Sequence, residues 1–186
     1  MTLYFAYGSN LLPARLTARC PGARALGPAW LADHRLDLSK PGADGSGKAT
    51  IRPAPGSVTP GALYHLPDEE LPLLDAFEGL GHGYGRARVT LDTIDGPTEA
   101  WTYQALLSAD LPAYDWYLGL CLAGRAAHGL PLDDLMALPW MPDPEPARET
   151  GRHARTLLAA AGFALSGLPD ARRVVRSCTD PGLGAG

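Results

Sequence analysis

Glycine and proline turns divide the first 106 residues into short segments, and this pattern constrains the fold most strongly. Glycine (22) and proline (18) together exceed a fifth of the 186 residues, which argues against a helix bundle and favours a chain with many turns. Strand-like segments, rich in β-branched and aromatic residues or alternating in polarity, occupy residues 2–8, 29–39, 50–66, 87–94 and 98–106. We expect two short strands within 50–66 and a hairpin between the last two segments.

Helical patterns lie between and after these strands. They cover residues 11–19, 67–79, 113–129, 131–138 and 147–163. The sequence therefore predicts an α+β fold of five to six strands, whose long-range pairing can close into a small mixed or antiparallel barrel flanked by helices. Residues 40–49, rich in glycine and polar side chains, predict a flexible loop.

Four prolines within residues 139–146 predict that the main domain ends at residue 138. We expect residues 1–138 to form this domain. Residues 139–186 are expected to form a Pro-rich connection and a helical extension packed on or near it. The tail, 177–186, is expected to be frayed.

The composition excludes several classes of function. A net charge of -4 gives no footprint for a nucleic-acid partner, and no apolar stretch reaches membrane-spanning length. Because the N-terminus also lacks a signal-peptide pattern, we expect a cytoplasmic protein. The cysteines, Cys20, Cys121 and Cys178, form no C-x-x-C pair, and the five histidines have no metal-ligand spacing, so we expect neither a metal nor a cofactor. Cys121 lies in an apolar run and is expected to be buried.

The run Tyr7-Gly8-Ser9-Asn10-Leu11 joins the first strand to the first helix. Gly8 allows backbone angles that other residues resist, and Ser9 and Asn10 are favoured helix N-cap residues. Two interpretations are open on local chemistry alone. The run is either an ordinary capped turn, or a cradle of backbone N–H groups for a carboxylate or an oxyanion.

Glu78 is a candidate proton acceptor at the end of the predicted helix 67–79, just before Gly79. Leu71, Leu74 and Phe77 are expected to share one apolar side of this helix. The neighbours of Glu78 in sequence are mostly apolar, and a carboxylate in apolar surroundings can act as a base nearer neutral pH. The alternative is an exposed glutamate at a helix end.

Four stretches together resemble the γ-glutamylcyclotransferase-like (AIG2-like) family. They are YFAYGSNL at 4–11, PGALYHL at 60–66, LLDAFEG followed by GYGR within 73–86, and YLGLCLAGRAAHGLP at 117–131. The resemblance covers about residues 1–138, and its strength lies in the order and distances of these motifs. Arg125 departs from the family pattern, and it is expected to alter either the cavity or only the surface.

The resemblance implies a small β-barrel with a cavity at one end and a single functional carboxylate, Glu78. It also implies a substrate site whose residues are Tyr7, Gly8, Ser9, Asn10, Leu11, Tyr84 and Tyr117. In this set the backbone of residues 7–11 holds the glutamyl group, and Tyr117 is a cavity wall and hydrogen-bond donor.

The implied reaction needs no metal, nucleotide or electron carrier. The α-amino group of a γ-glutamyl amide attacks its own γ-carbonyl, forms 5-oxoproline and releases an amino acid or amine, with Glu78 as general acid and base. Two alternatives stay open: another γ-glutamyl amide hydrolase or transferase, and a non-catalytic protein that binds a small ligand. The expected partner is a small γ-glutamyl compound, and the expected state is a monomer or homodimer.

Overall fold

Five strands close into a barrel in the computed structural model, which describes residues 1–168. The strands are β1 (Thr2–Ala6), β2 (Arg24–Pro41), β3 (Gly47–Leu66), β4 (Tyr84–Thr93) and β5 (Thr98–Ala105). Their order around the barrel is β1-β3-β2-β4-β5. The pairs are antiparallel except for β5 and β1, which run parallel and complete the circle. The predicted α+β class and small mixed barrel are confirmed.

Strand β3 corrects the prediction of two short strands within residues 50–66. It is one strand of 20 residues that pairs with both β1 and β2. The proline and glycine signals mark an interruption of the β2–β3 ladder, because Gly56 adopts φ +79° there and donates its N–H to Asp33 Oδ1 at 2.8 Å. The chain bulges at this point and continues in the same strand.

The predicted flexible loop at residues 40–49 is also wrong. Pro41 pairs with Gly47 across the β2–β3 hairpin, so both ends of the segment belong to strands. The remaining turn is closed by Lys48 Nζ, which donates to Asp44 Oδ2 at 2.7 Å, and both side chains are largely buried. Lys48 also lies over the rings of Trp116 and Tyr117. A largely buried ion pair packed against aromatic rings therefore holds this turn in place, whereas the composition of the segment predicted a flexible loop.

Among residues 1–168, five helices surround the barrel: α1 (Pro13–Arg19), α2 (Leu71–Glu78), α3 (Asp115–Ala127), α4 (Asp133–Met136) and α5 (Glu149–Ala160). Short 3₁₀ turns lie at Ser9–Leu11, Asp68–Glu70 and Leu165–Gly167. No helix within the described part of the chain is both long and apolar enough to span a bilayer. The expected frayed tail, 177–186, and Cys178 lie outside the described residues.

Helix α5 packs against α3. Leu158 of α5 lies close to Gly119 of α3, where a Cβ would come within 3.1 Å of the leucine. The segment before α5 is also anchored, because Trp116 Nε1 donates to Asp143 Oδ2 at 3.0 Å. Strand β6 (Ala113–Tyr114), directly before α3, pairs in parallel with β7 (Trp140–Met141), which lies between α4 and α5. This small sheet ties the segment that leads to α5 to the start of α3.

Two buried clusters form the core, and the alternation of side chains along β1 divides them. Phe5 and Tyr7 join a cluster that draws residues from all five barrel strands and from α3. Tyr4 and Ala6 point the other way, into a cluster that includes Leu74 of α2. The helices α1 and α2 are thereby held over β1, next to the turn that follows it. Cys121 is fully buried, as expected.

Candidate active site

A recess opens at the end of the barrel where β1 and β5 finish and β4 begins. It encloses about 290 Å³ of empty space, counting its open mouth. Its wall combines the turn after β1, the end of α2, five tyrosines and one residue of β3; the lining residues are Tyr4, Tyr7, Gly8, Ser9, Asn10, Ala49, Glu78, Tyr84, Tyr103 and Tyr117. The sequence motifs at residues 7–10, 78, 84 and 117 therefore meet in one place.

The turn at residues 8–11 is a short 3₁₀ helix, and it corrects the predicted N-cap. Helix α1 begins at Pro13, which lacks an N–H and suits the first helical position, with Leu12 before it and no side-chain cap. Ser9 and Asn10 belong to the 3₁₀ turn instead. Within residues 1–168, the N–H groups of Gly8 and Asn10 have no hydrogen-bond acceptor, as expected at the start of a helical turn.

Gly8 is required for close packing, not for an unusual φ. Its φ is −107°, which any residue can adopt. A Cβ at this position would lie 2.9 Å from the Ala49 Cβ and 3.4 Å from the Tyr117 hydroxyl oxygen. The absence of a side chain lets the turn approach β3 and Tyr117, so the predicted reason for the glycine is wrong although the position matters.

Glu78 is the last residue of α2, and Gly79 fixes it there by ending the helix with φ +64°. Its Oε1 accepts hydrogen bonds from Asn10 Nδ2 and Arg19 Nη1, both at 2.9 Å. Its Oε2 accepts none from the described residues. The carboxylate, on a residue that lines the recess, thus has one oxygen held by two donors and one oxygen that accepts no hydrogen bond from the described residues.

The predicted apolar surroundings of Glu78 are therefore wrong. Leu73, Phe77 and Leu80 are 48%, 57% and 37% exposed, so the apolar neighbours in sequence lie largely at the surface and do not enclose the carboxylate. Only Leu74 of the predicted apolar side is fully buried. The side chain of Glu78 lies instead in a polar, largely buried position, with 14% of its surface exposed. Nor is it the freely exposed glutamate of the alternative interpretation.

Arg19 and Asn10 form a closed network with Glu78 that sequence reasoning missed. Arg19 Nη1 also donates to Asn10 Oδ1 at 3.0 Å, and Asn10 Nδ2 also donates to the Tyr4 hydroxyl at 3.1 Å. Because a guanidinium can only donate hydrogen bonds, the atom of Asn10 that contacts Arg19 must be the amide oxygen. The amide nitrogen of Asn10 therefore lies toward the Glu78 carboxylate. Because the side chain of Asn10 is engaged in this network, it is not available to cap a helix. The sequence signal that could have revealed this network was the presence of an arginine, Arg19, on the helix directly after the turn.

Burial raises the pKa of each tyrosine that lines the recess, and the charge of Glu78 acts in the same direction. These phenols are therefore protonated around neutral pH and can donate hydrogen bonds. Three donate to protein groups: Tyr7 to Tyr103 O, Tyr84 to Ala49 O at 2.7 Å and Tyr103 to Asp75 Oδ1 at 2.7 Å.

Two phenols keep their own proton available. The Tyr117 oxygen accepts from the Ala49 N–H at 2.9 Å, and the Tyr4 oxygen accepts from Asn10. No oxygen or nitrogen atom of the described residues accepts the hydroxyl proton of either. Tyr117 and Tyr84 together hold both backbone polar groups of Ala49, which makes this wall of the recess rigid. Tyr4 and Tyr103 were missed from the sequence, because strands of this kind commonly carry tyrosines for packing.

Leu11 is the one predicted site residue that does not line the recess. It is fully buried behind the turn, and its N–H donates to Gly8 O at 2.9 Å. Gly124 of α3 contacts it so closely that a Cβ there would lie 2.4 Å from the Leu11 Cβ. Leu11 therefore anchors the turn from behind.

Arg125 neither lines the recess nor lies on the surface, so both expectations for it are wrong. It is fully buried on α3, donates to Pro131 O at 2.8 Å and forms a two-pronged ion pair with Asp134. Its role in the structure is to hold α4 against α3.

Comparisons with known proteins agree with this fold and site. A family model described as "Gamma-glutamyl cyclotransferase, AIG2-like" matches residues 4–118. Gamma-glutamylcyclotransferases of Bos taurus and Homo sapiens are 35% and 33% identical over 138 residues, which is 70% of this chain and 73% of each relative.

Solved structures show the same relationship. A gamma-glutamyl cyclotransferase superposes with a TM-score of 0.76 at 27% identity, over 83% of this chain and 98% of that one. A crystal structure described as an uncharacterized protein from Homo sapiens gives a TM-score of 0.70 at 31% identity, over 75% of this chain and 89% of the other. The resemblance found in the sequence is confirmed. The chain belongs to the γ-glutamylcyclotransferase, AIG2-like family.

Proposed function

We propose that this protein converts a small γ-glutamyl amide into 5-oxoproline and a free amino acid or amine, with Glu78 as the proton acceptor and donor. Its family and its relatives make it an enzyme of the γ-glutamylcyclotransferase type. The observation that carries the residue assignment is the state of Glu78, which lines the recess, with Oε1 held by two donors and Oε2 without a donor among the described residues.

The reaction needs one proton shuttle. Glu78 Oε2 takes a proton from the α-ammonium group of the substrate, and the freed amine forms a bond to the γ-carbonyl carbon. The bond from that carbon to the leaving nitrogen then breaks, as the same carboxyl returns the proton to that nitrogen. The second proton that the α-nitrogen loses in forming the lactam passes through the same carboxylate to the departing amine, which leaves as an ammonium ion. General acid–base catalysis of this kind contributes about 10²–10⁴-fold. Because nucleophile and carbonyl share one molecule, positioning contributes much of the rest.

Several unused hydrogen-bond donors lie on residues that line the same recess as Glu78. The N–H groups of Gly8, Ser9 and Asn10 and the hydroxyl groups of Tyr4 and Tyr117 have no oxygen or nitrogen acceptor within the described chain. This set suits the α-carboxylate of the glutamyl group and the negative charge that develops on the carbonyl oxygen. We assign to it the orientation of the glutamyl end, with Tyr7 and Tyr84 fixing the walls.

The product identifies the reaction. The purified protein is incubated with γ-glutamyl amino acids and γ-glutamyl amines, and both 5-oxoproline and glutamate are quantified. We expect 5-oxoproline. Free glutamate instead would assign a hydrolase, and no product with any compound would favour the non-catalytic alternative. The cytoplasmic location and the monomeric or homodimeric state expected from the sequence stay predictions.

A further inference from the structure

The carbonyl group of Leu11 ends the turn at residues 8–11 and has no backbone donor. Leu11 is fully buried. Helix α1 does not supply a donor, because it begins at Pro13 and the N–H of Arg15 goes to Leu12 O at 2.9 Å. Within residues 1–168, no other backbone N–H donates to Leu11 O. A buried carbonyl without a partner is costly, so side chains have to supply its hydrogen bonds.

Tyr64 of β3 and His128 at the end of α3 reach this carbonyl. The Tyr64 hydroxyl donates to Leu11 O at 2.8 Å. Burial raises the pKa of Tyr64, so this hydroxyl is protonated at neutral pH. His128 Nε2 lies 2.8 Å from the Tyr64 hydroxyl oxygen and 3.1 Å from Leu11 O. The two rings meet edge to face, with their centres 5.6 Å apart.

These contacts determine which ring nitrogen of neutral His128 carries the hydrogen. If Nε2 carried none, the single hydroxyl hydrogen of Tyr64 could serve only one of the two acceptors. The lone pairs of Nε2 and Leu11 O would then face each other at 3.1 Å. Nε2 is therefore protonated and donates toward both oxygens. We call the Tyr64 hydroxyl, His128 Nε2 and the Leu11 carbonyl the turn latch.

Helix α3 also packs against the peptide that the turn latch holds. Gly124 lies one helical turn before His128, on the same face of α3. A Cβ at Gly124 would lie 2.4 Å from the Leu11 Cβ and 2.6 Å from the Leu12 nitrogen. Gly129, with φ +65°, ends the helix directly after His128. Close packing and hydrogen bonding by α3 thus act on the same peptide.

We propose that Tyr64 and His128 are positioning residues for the glutamyl group of the substrate. This inference rests on the proposed function. Neither residue lines the recess, so both act through the turn. By holding the Leu11 carbonyl they keep residues 8–10, which line the recess and have unused N–H groups, in the arrangement that binds the glutamyl end.

Release of 5-oxoproline from γ-glutamyl-alanine gives kcat and KM for variants of the turn latch. We expect His128→Leu and Tyr64→Phe each to raise KM about 10-fold and to change kcat by less than about three-fold, because a displaced turn loses substrate binding first. His128→Gln should keep KM near the wild-type value, since its amide N–H replaces that of Nε2. The double variant should lose little more than His128→Leu alone, because both hydrogen bonds end on one carbonyl.

Thr93→Val is the matched control for lost stability. It removes a hydroxyl that donates to a backbone carbonyl, Gly96 O, at 2.7 Å. Thr93 ends β4 at the opposite end of the strand from Tyr84, which lines the recess. We expect a lower Tm in this variant with an unchanged KM.

The position of the ring hydrogen gives a second, independent measurement. In the ¹⁵N NMR spectrum of wild-type protein at pH 7.5, we expect neutral His128 to carry its hydrogen on Nε2. The spectrum of His128→Gln assigns the signal, because only that signal disappears.

Different results overturn the turn latch and the proposed function. An unchanged KM in Tyr64→Phe or in folded His128→Leu, or a defect in His128→Gln as large as in His128→Leu, overturns the latch and leaves the cyclisation standing. So do single effects that multiply in the double variant, and a hydrogen on Nδ1. If His128→Leu fails to fold, Tyr64→Phe decides, because it removes only one oxygen atom. No 5-oxoproline from wild-type protein overturns the proposed function, and this inference with it.

Discussion

Replacement of Glu78 separates its role in catalysis from its role in the fold. Both Asn10 and Arg19 donate to the same oxygen, Oε1. In Glu78→Gln the amide oxygen can accept both bonds, while the amide nitrogen takes the place of Oε2. The open position of the carboxylate then becomes a donor and can no longer accept a proton. The variant therefore preserves the network and removes the base.

The expected magnitudes differ between the two obvious variants. In Glu78→Gln the hydrogen bonds lose their charge assistance, which costs about 1 kcal/mol of unfolding free energy, or about 2–4 °C in Tm for a chain of this size. In Glu78→Ala the Arg19 cation is left unpaired. The two side chains of the pair are 18% and 14% exposed, so the cost lies between a surface and a buried pair, at about 1–3 kcal/mol.

Activity should fall in both variants by a similar factor. We expect 5-oxoproline release to drop at least about 10²-fold, which is about 3 kcal/mol of transition-state stabilisation. The assay measures initial rates by quantifying 5-oxoproline, with Tm from a thermal melt of each protein. Glu99→Gln is the matched control, because Glu99 also pairs with an arginine, at 3.3 Å, but is 66% exposed and remote from the recess.

Two results would refute this reasoning. A folded Glu78→Gln protein within about ten-fold of the wild-type rate would show that another group moves the proton. A Glu78→Ala protein with an unchanged Tm would show that the ion pair with Arg19 contributes nothing to the fold.

Three other predictions concern the support of the site. Gly8→Ala should lower kcat/KM by about 10- to 100-fold, since the new Cβ displaces Ala49 or the Tyr117 hydroxyl; kinetics on a protein with wild-type Tm checks it. Gly124→Ala should cost about 1–3 kcal/mol in urea unfolding, because its Cβ overlaps the backbone behind the turn. Burial lowers the pKa of His128 below its usual 6.5, so the unfolded chain binds the proton more readily and stability falls as pH drops below about 6.5. Unfolding at pH 7.5 and 5.5 should show this loss, and His128→Gln should reduce it.

Local sequence signals predicted most of the elements but misjudged what interrupts them. The hairpin between β4 and β5 and the helix ending at Gly79 follow from turn residues whose backbone preferences act within a few positions. The prolines of residues 50–66 carry the same local signal, yet the strand continues past them, because its two neighbours in the barrel hold it on both sides. Pairing partners distant in sequence overrode a local preference there.

The sequence by itself determined the family, the α+β class and the choice of Glu78, Tyr84 and Tyr117 as candidate site residues. All of these follow from motifs that occur in a fixed order along the chain. Only the tertiary structure decided their surroundings. It left the apolar neighbours of Glu78 exposed, brought Arg19 to one carboxylate oxygen and placed Leu11 behind the turn, outside the recess. The physical reason is that hydrogen-bond partners and burial depend on which segments closure of the barrel brings together, and neighbours along the chain do not report this.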